Sequence, residues 1–146
     1  MNKINSIRND WKLIESLIEK NSKILDIGCG KGGLIEELKK NIHVKAHGIE
    51  INQELAGNAI SKGLNVVHGN AETDLNQYAD NSFSYVILSQ TLQAMFKPKD
   101  MLLELLRIGD KAIVSFPNFG HWKIRIKLLT SGKMPITKGL PFTWYE

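Results

Sequence analysis

The chain has 146 residues, 42% of them hydrophobic, a formal net charge of +4 and one cysteine. That length buries one sizeable core, so a single domain over 1–146 is expected. One cysteine excludes an internal disulfide, no Cys/His cluster suggests a metal, and no apolar stretch forms a secretory h-region or reaches the roughly 20 residues of a membrane span, so a cytoplasmic setting is expected.

Ile4, Ile7, Trp11, Ile14, Leu17 and Ile18 recur at three- and four-residue intervals and predict an amphipathic helix over 5–20. The stretch "KILDIGCGKGGLIEEL" then reads as a strand over 23–27, a glycine-rich turn and a helix over 33–40. The alternation continues with a strand over 44–49, a helix over 53–62, a strand over 64–68 and a helical turn near 74–78. A strand over 83–88, a helix over 98–107, a strand over 111–116 and a helix over 121–131 follow. Runs such as "YVILS" and "AIVSF" are apolar throughout, as parallel strands covered on both faces require. The expected fold is α/β, a doubly wound, mostly parallel, Rossmann-like sheet. Its parts are an N-terminal helix (1–22), a nucleoside-binding core (23–116) and a C-terminal helix and loop (117–146). In such a sheet ligands sit outside the carboxyl ends of the strands, beside the point where strand order reverses.

The glycines of the first turn satisfy two fingerprints. Gly28, Gly30 and Gly33 fit the G-x-G-x-x-G of dinucleotide sites, whereas Gly28, Gly30 and Gly32 fit the G-x-G-x-G of S-adenosylmethionine (SAM) sites. Asp26 weighs against a dinucleotide, because a carboxylate at the mouth of this strand repels a pyrophosphate on the following helix N-terminus. SAM carries no phosphate but a sulfonium and an ammonium, which a carboxylate favours. Glu50, ending the second strand, suits the two ribose hydroxyls of either ligand. Asn70 or Glu72 after the third strand could face an adenine edge, with Ala71 leaving room for the ring. Either Asp26 or Glu50 could instead cap the helix that follows it; the three strand-end features together favour SAM. Cys29 reads as a small residue in a crowded turn, with no His or Lys neighbour to activate it.

Residues 23–116 resemble the class I SAM-dependent methyltransferases. The strings "VILSQTLQAMFKP", "IVSFPNFGHW" and "MPITKGLPFTWYE" are similar to those of the MetW methionine-biosynthesis family. The resemblance implies SAM or S-adenosylhomocysteine (SAH) as cofactor and homoserine O-acyltransferase as partner. The expected cofactor-binding set is Asp26, Gly28, Cys29, Gly30, Gly32, Glu50, Ile51, Asn70, Ala71, Glu72 and Ser89; no catalytic residue carries over.

Two functions of different class remain open: a SAM-binding partner or activator of the acyltransferase, and a methyltransferase for a small acceptor. The acceptor would lie over the fourth strand's end, at Ser89, Gln90 and Gln93, with His121 and Trp122 closing the site; local turn bonding and surface packing are the plainer roles for these residues. Nucleic-acid binding is not expected, since Lys123, Arg125 and Lys127 lack interleaved aromatic platforms and read as a solvated helix face. A class I sheet normally has two more strands after the fifth. With about thirty residues after Phe116, the last strands are expected to be missing. The fifth strand is then a sheet edge open to a homodimer or another partner.

Overall fold

The computed structural model describes residues 9–118 and 120–132. Five strands form one sheet: β1 (Lys23–Ile27), β2 (Lys45–Glu50), β3 (Val66–His68), β4 (Phe83–Ser89) and β5 (Gly109–Ser115). Their order is β3-β2-β1-β4-β5 and every pairing is parallel. The helices α2 (Gly33–Ile42), α3 (Gln53–Ser61), α4 (Ala71–Asp74) and α5 (Pro98–Ile108) connect them. Helix α1 (Asn9–Leu17) precedes the sheet and α6 (Trp122–Ser131) follows it. This is the doubly wound Rossmann-like sheet expected.

Successive side chains of a strand point to opposite faces, and here both faces are covered. Ile24, Tyr85 and Ile87 pack with Ile14 and Ile18 after and on α1, with Leu34, Ile35 and Leu38 of α2 and with Ala56 and Ala59 of α3. Leu25, Ile27, Val86 and Leu88 pack on the other face with Leu75, Met101, Leu105 and Ile108. Ile24, Leu25, Ile27, Val86, Ile87 and Leu88 are fully buried. Each such side chain contributes ~1.5–3 kcal/mol relative to exposure. That double coverage is why these strands read as unbroken apolar runs.

The order reverses between β1 and β4, so the loops leaving these neighbours diverge to opposite faces and open a crevice at their carboxyl ends. Among the described residues β5 pairs only with β4, which leaves its other edge without a strand.

Element boundaries differ from the expected ones for local reasons. The first five strand residues are as expected, but β3 is shorter because Leu64 packs against Ala59 and the turn at Gly32 instead of entering the ladder. Strand β5 begins at Gly109, whose missing side chain lets it lie against Val86. The turn expected near 74–78 starts earlier: Asn70 caps α4 by accepting from Glu72 N–H at 3.0 Å, and a 3-10 turn over Leu75–Gln77 continues it. The N-terminal helix ends at Leu17; the part expected over 5–8 lies outside the described residues, as does the chain beyond 132.

Candidate functional site

The turn after β1 is built on left-handed backbone. Gly28, Gly30 and Gly32 have φ of 70°, 56° and 76°. At Gly28 a side chain would be excluded twice over, because a Cβ would stand 2.8 Å from the Thr91 side chain as well as demanding a disfavoured φ. Gly33 has no such φ; its missing Cβ makes room for the Trp11 ring of α1. The three left-handed glycines are therefore those of the G-x-G-x-G pattern, and Gly33 is a helix-packing position.

Glu50 fastens this turn to the end of β2. Its Oε2 accepts from Gly30 N–H at 2.8 Å and its Oε1 from Asn52 N–H at 2.9 Å. Gly28 N–H also donates to Ile49 C=O at 2.8 Å. Asp26 and Glu50 are both buried, 3% and 7% exposed. Neither is a helix N-cap: Gly32 precedes α2 without a side-chain cap, and Asn52 caps α3 by accepting from Leu55 N–H. Beneath the turn, Cys29 fills the space over Gly48. Burial, followed by the charges of Asp26 and Glu50, pushes its thiol up to about 12. It stays protonated at neutral pH and is no nucleophile there.

A cavity of about 190 Å³ opens beside the turn, at the reversal point of the sheet. Ile27, Gly28, Ile49 and Glu50 form its inner wall, and Gly69, Asn70, Ala71 and Glu72 one side. Thr91, Ala94, Met95 and Phe96 form the other side. Ile51 and Phe96 stand on the rim, 63% and 70% exposed. Six of the expected residues thus line one cavity: Gly28, Glu50, Ile51, Asn70, Ala71 and Glu72. Gly30 and Gly32 shape the turn next to it, with Cys29 beneath the turn and Asp26 buried near the end of β1. Asn70 and Glu72 also have structural work, since Asn70 caps α4 and Glu72 Oε1 accepts from Lys97 N–H at 2.8 Å. A shallower recess of about 330 Å³ lies beyond Ala71 and Glu72, against α5, and does not reach the glycine turn.

Sequence reasoning passed over the wall from Thr91 to Phe96. Its signal was the apolar spacing of "LQAMF" directly after an unbroken apolar strand, where a crevice wall must lie.

Ser89 belongs to a separate polar group at the ends of β4 and β5. Ser89 Oγ and Gln90 Nε2 donate to Asp10 Oδ2 of α1 at 3.4 and 3.2 Å, and Ser115 Oγ donates to Ser89 Oγ at 3.3 Å. Gln90 is held at φ 54°, rare for a residue with a side chain, and Gln93 Nε2 donates to its carbonyl. His121 stacks on Trp122 at the start of α6, 6.1 Å between ring centres, with both exposed and neither lining the cavity.

The fold has counterparts among known proteins. A SAM-dependent methyltransferase of Thermotoga maritima superposes with a TM-score of 0.66 at 22% identity, over 83% of this chain and 56% of that one. The [4+2]-cyclase SpnF superposes with a TM-score of 0.61 at 22% identity, over 68% of this chain and 39% of its own. The shared fold therefore carries more than one chemistry. The bifunctional methionine biosynthesis protein MetXA/MetW of Rhodopirellula baltica is 32% identical over 94% of this chain, which spans only 23% of that relative's length. The family model described as methionine biosynthesis protein MetW matches residues 8–146. The chain belongs to the MetW family of methionine biosynthesis proteins.

Proposed function

We propose that the chain binds SAM or SAH in the crevice at the carboxyl ends of β1, β2 and β4, and acts in methionine biosynthesis with homoserine O-acyltransferase as its partner. The observation that carries the ligand reading is the pair of buried carboxylates, Asp26 and Glu50, beside the glycine turn. Their field suits a sulfonium and an ammonium and opposes a pyrophosphate. Each Glu50 oxygen already accepts one backbone N–H, and each has a second lone pair for a ribose hydroxyl. The cavity is smaller than the ~300–1,000 Å³ of whole-ligand pockets. It suits the nucleoside end, between Ile51 and Phe96, with the remainder of the ligand lying over the turn. Bound SAM would supply an electrophilic methyl group on sulfur.

The partner reading is supported by a relative named for both MetXA and MetW in one chain, of which this chain matches about a quarter. Co-purification with the acyltransferase, and an acyltransferase assay with and without this protein at varied SAM, test it. Complex formation with a SAM-dependent change in rate is expected.

A second reading, methyl transfer to a small acceptor, is favoured by the polar group Ser89, Gln90 and Gln93 at the end of β4. Such a displacement is accelerated largely by holding donor and acceptor in line, and a base is needed only where the acceptor loses a proton. No complex and no rate change, with methyl transfer to a metabolite, would replace the partner reading by this one. Titration with NAD and SAH separates both from a dinucleotide site: binding of NAD without SAH would end the SAM reading.

A further inference from the structure

We propose that Lys62 is a positioning residue of the nucleoside crevice: its ammonium, held between the Lys31 carbonyl and the Glu36 carboxylate, fixes the outer half of the glycine turn and makes ligand affinity sensitive to ionic strength. The proposal rests on the nucleoside reading above and adds to it a residue outside the cavity. Three glycines in left-handed backbone give the turn after β1 wide freedom when nothing restrains it. Ordering such a segment at the moment of binding subtracts from affinity, so each contact that sets it beforehand favours the ligand.

The first half of the turn is restrained from β2. Gly28 and Cys29 N–H donate to Ile49 C=O at 2.8 and 3.3 Å, and Gly30 N–H donates to Glu50 Oε2. The second half is restrained from the far end of α3. Lys62 Nζ donates to Lys31 C=O at 3.0 Å and pairs with Glu36 Oε2 of α2 at 2.8 Å. Beside it, a Cβ on Gly32 would collide with the Leu64 side chain and stand 3.3 Å from Ala59 Cβ, so the end of α3 and the residues after it close on the turn.

The position of Lys62 in α3 gives the contact its leverage. Lys62 is the C-cap of α3, and the N-cap Asn52 donates its N–H to Glu50 Oε1. The two oxygens of Glu50 thus reach Gly30 and the start of α3, while the residue that ends α3 reaches Lys31, next to Gly30. The circuit from the turn through Glu50 and α3 closes on the turn again, and Lys62 is its outer link. Glu50 is buried, whereas the Lys62 and Glu36 side chains are 40% and 45% exposed, so dissolved ions reach the outer link and not the inner one. An exposed pair of this kind is modest in strength, which makes it a tuning contact.

The test uses 5′-methylthioadenosine, a neutral nucleoside thioether whose own charge cannot produce a salt response, alongside SAH. Wild type, Lys62→Met, Lys62→Arg and Glu36→Gln are titrated with both by calorimetry in 0.1 M and 1 M NaCl, where screening lengths are about 10 and 3 Å. In 0.1 M salt Lys62→Met is expected to bind both ligands about threefold more weakly than the wild type, with Lys62→Arg recovering most of the loss. In 1 M salt the gap between wild type and Lys62→Met should narrow, and Glu36→Gln should respond to salt less than the wild type. Wild-type affinity of Lys62→Met for both ligands in 0.1 M salt overturns the proposal and leaves the nucleoside reading standing. So does a gap that is the same in both salts, or one matched by an equal fall in urea stability, since the side chain would then act on the fold and not on the turn. Failure of the wild type to bind either ligand overturns the nucleoside reading and the positioning role with it.

Discussion

The Glu50 carboxylate at the end of β2 holds Gly30 in the turn after β1, through a 2.8 Å bond from Gly30 N–H to Oε2. Through its other oxygen it holds Asn52, the cap of α3, at 2.9 Å. One buried side chain thus sets the distance between two strand ends and positions the next helix.

Glu50→Ala removes two hydrogen bonds to a charged acceptor, each worth about 1.5–3 kcal/mol, although water will reach part of the vacated space. A loss of about 2–4 kcal/mol in urea denaturation at neutral pH is expected, together with loss of SAH binding by calorimetry. Glu50→Gln keeps one acceptor oxygen and should cost about half as much. An alanine variant as stable as the wild type would show that the turn is held by other contacts.

Gly28→Ala meets two obstacles that a double-mutant cycle can separate. The left-handed φ of 70° costs about 1–2 kcal/mol for any residue with a Cβ, and the approach to Thr91 at 2.8 Å adds a steric part. Thr91→Ala should remove the steric part alone. Gly28→Ala is therefore expected to cost less in the Thr91→Ala background than in the wild type, with the φ penalty remaining. Equal costs in the two backgrounds would mean that Thr91 moves aside freely.

Trp11 and Gly33 form the joint between α1 and the turn, and Gly33→Leu should force them apart. The variant is expected to lose about 2–4 kcal/mol of stability, the usual cost of overpacking combined with lost core contact. SAH binding should weaken with it, because Gly33 directly follows the glycine turn beside the cavity. Trp11→Ala in the Gly33→Leu background should recover part of the stability, since it opens the space that the new side chain needs. An unaltered affinity in the single variant would mean that the turn keeps its shape without the Trp11 contact.

The sheet was legible because its strands are buried on both faces and so carry unbroken apolar runs, of which "YVILS" is the plainest. The glycine turn was legible because left-handed backbone leaves few residue choices at Gly28 and Gly32. What could not be read was anything that depends on distant parts of the chain meeting. Asp10 reaches Gln90 across 80 positions, and no local pattern in "NDWKL" announces that contact. Asn70 was read for its place at a strand end, where its side chain also serves as the cap of a four-residue helix. The "Asn-Ala-Glu-Thr" string is itself a helix start, and a carboxamide can serve a cap and a ligand from one position.

Cys29 links the site to alkaline pH. Burial, and then the charges of Asp26 and Glu50, raises its thiol from an ordinary 9.0 to about 12. In the folded protein it should resist alkylation by iodoacetamide at pH 8 and react only on unfolding. Above pH 9 the unfolded chain releases the thiol proton while the folded chain keeps it, so the folded state binds more protons and stability falls as pH rises. The fall approaches about 1.4 kcal/mol per pH unit and ends near pH 12, where the folded thiol also ionises. Tyr78, raised by burial, and Lys111, raised by its hydrogen bond to Glu19, also titrate at alkaline pH, so the wild-type curve alone is not diagnostic. The difference between wild type and Cys29→Ala isolates the thiol. It should be flat below pH 8 and should slope above pH 9, with the wild type losing stability faster. Parallel curves through pH 11 would mean that the folded thiol ionises as readily as the unfolded one, and that its burial under the turn does not hold the proton on.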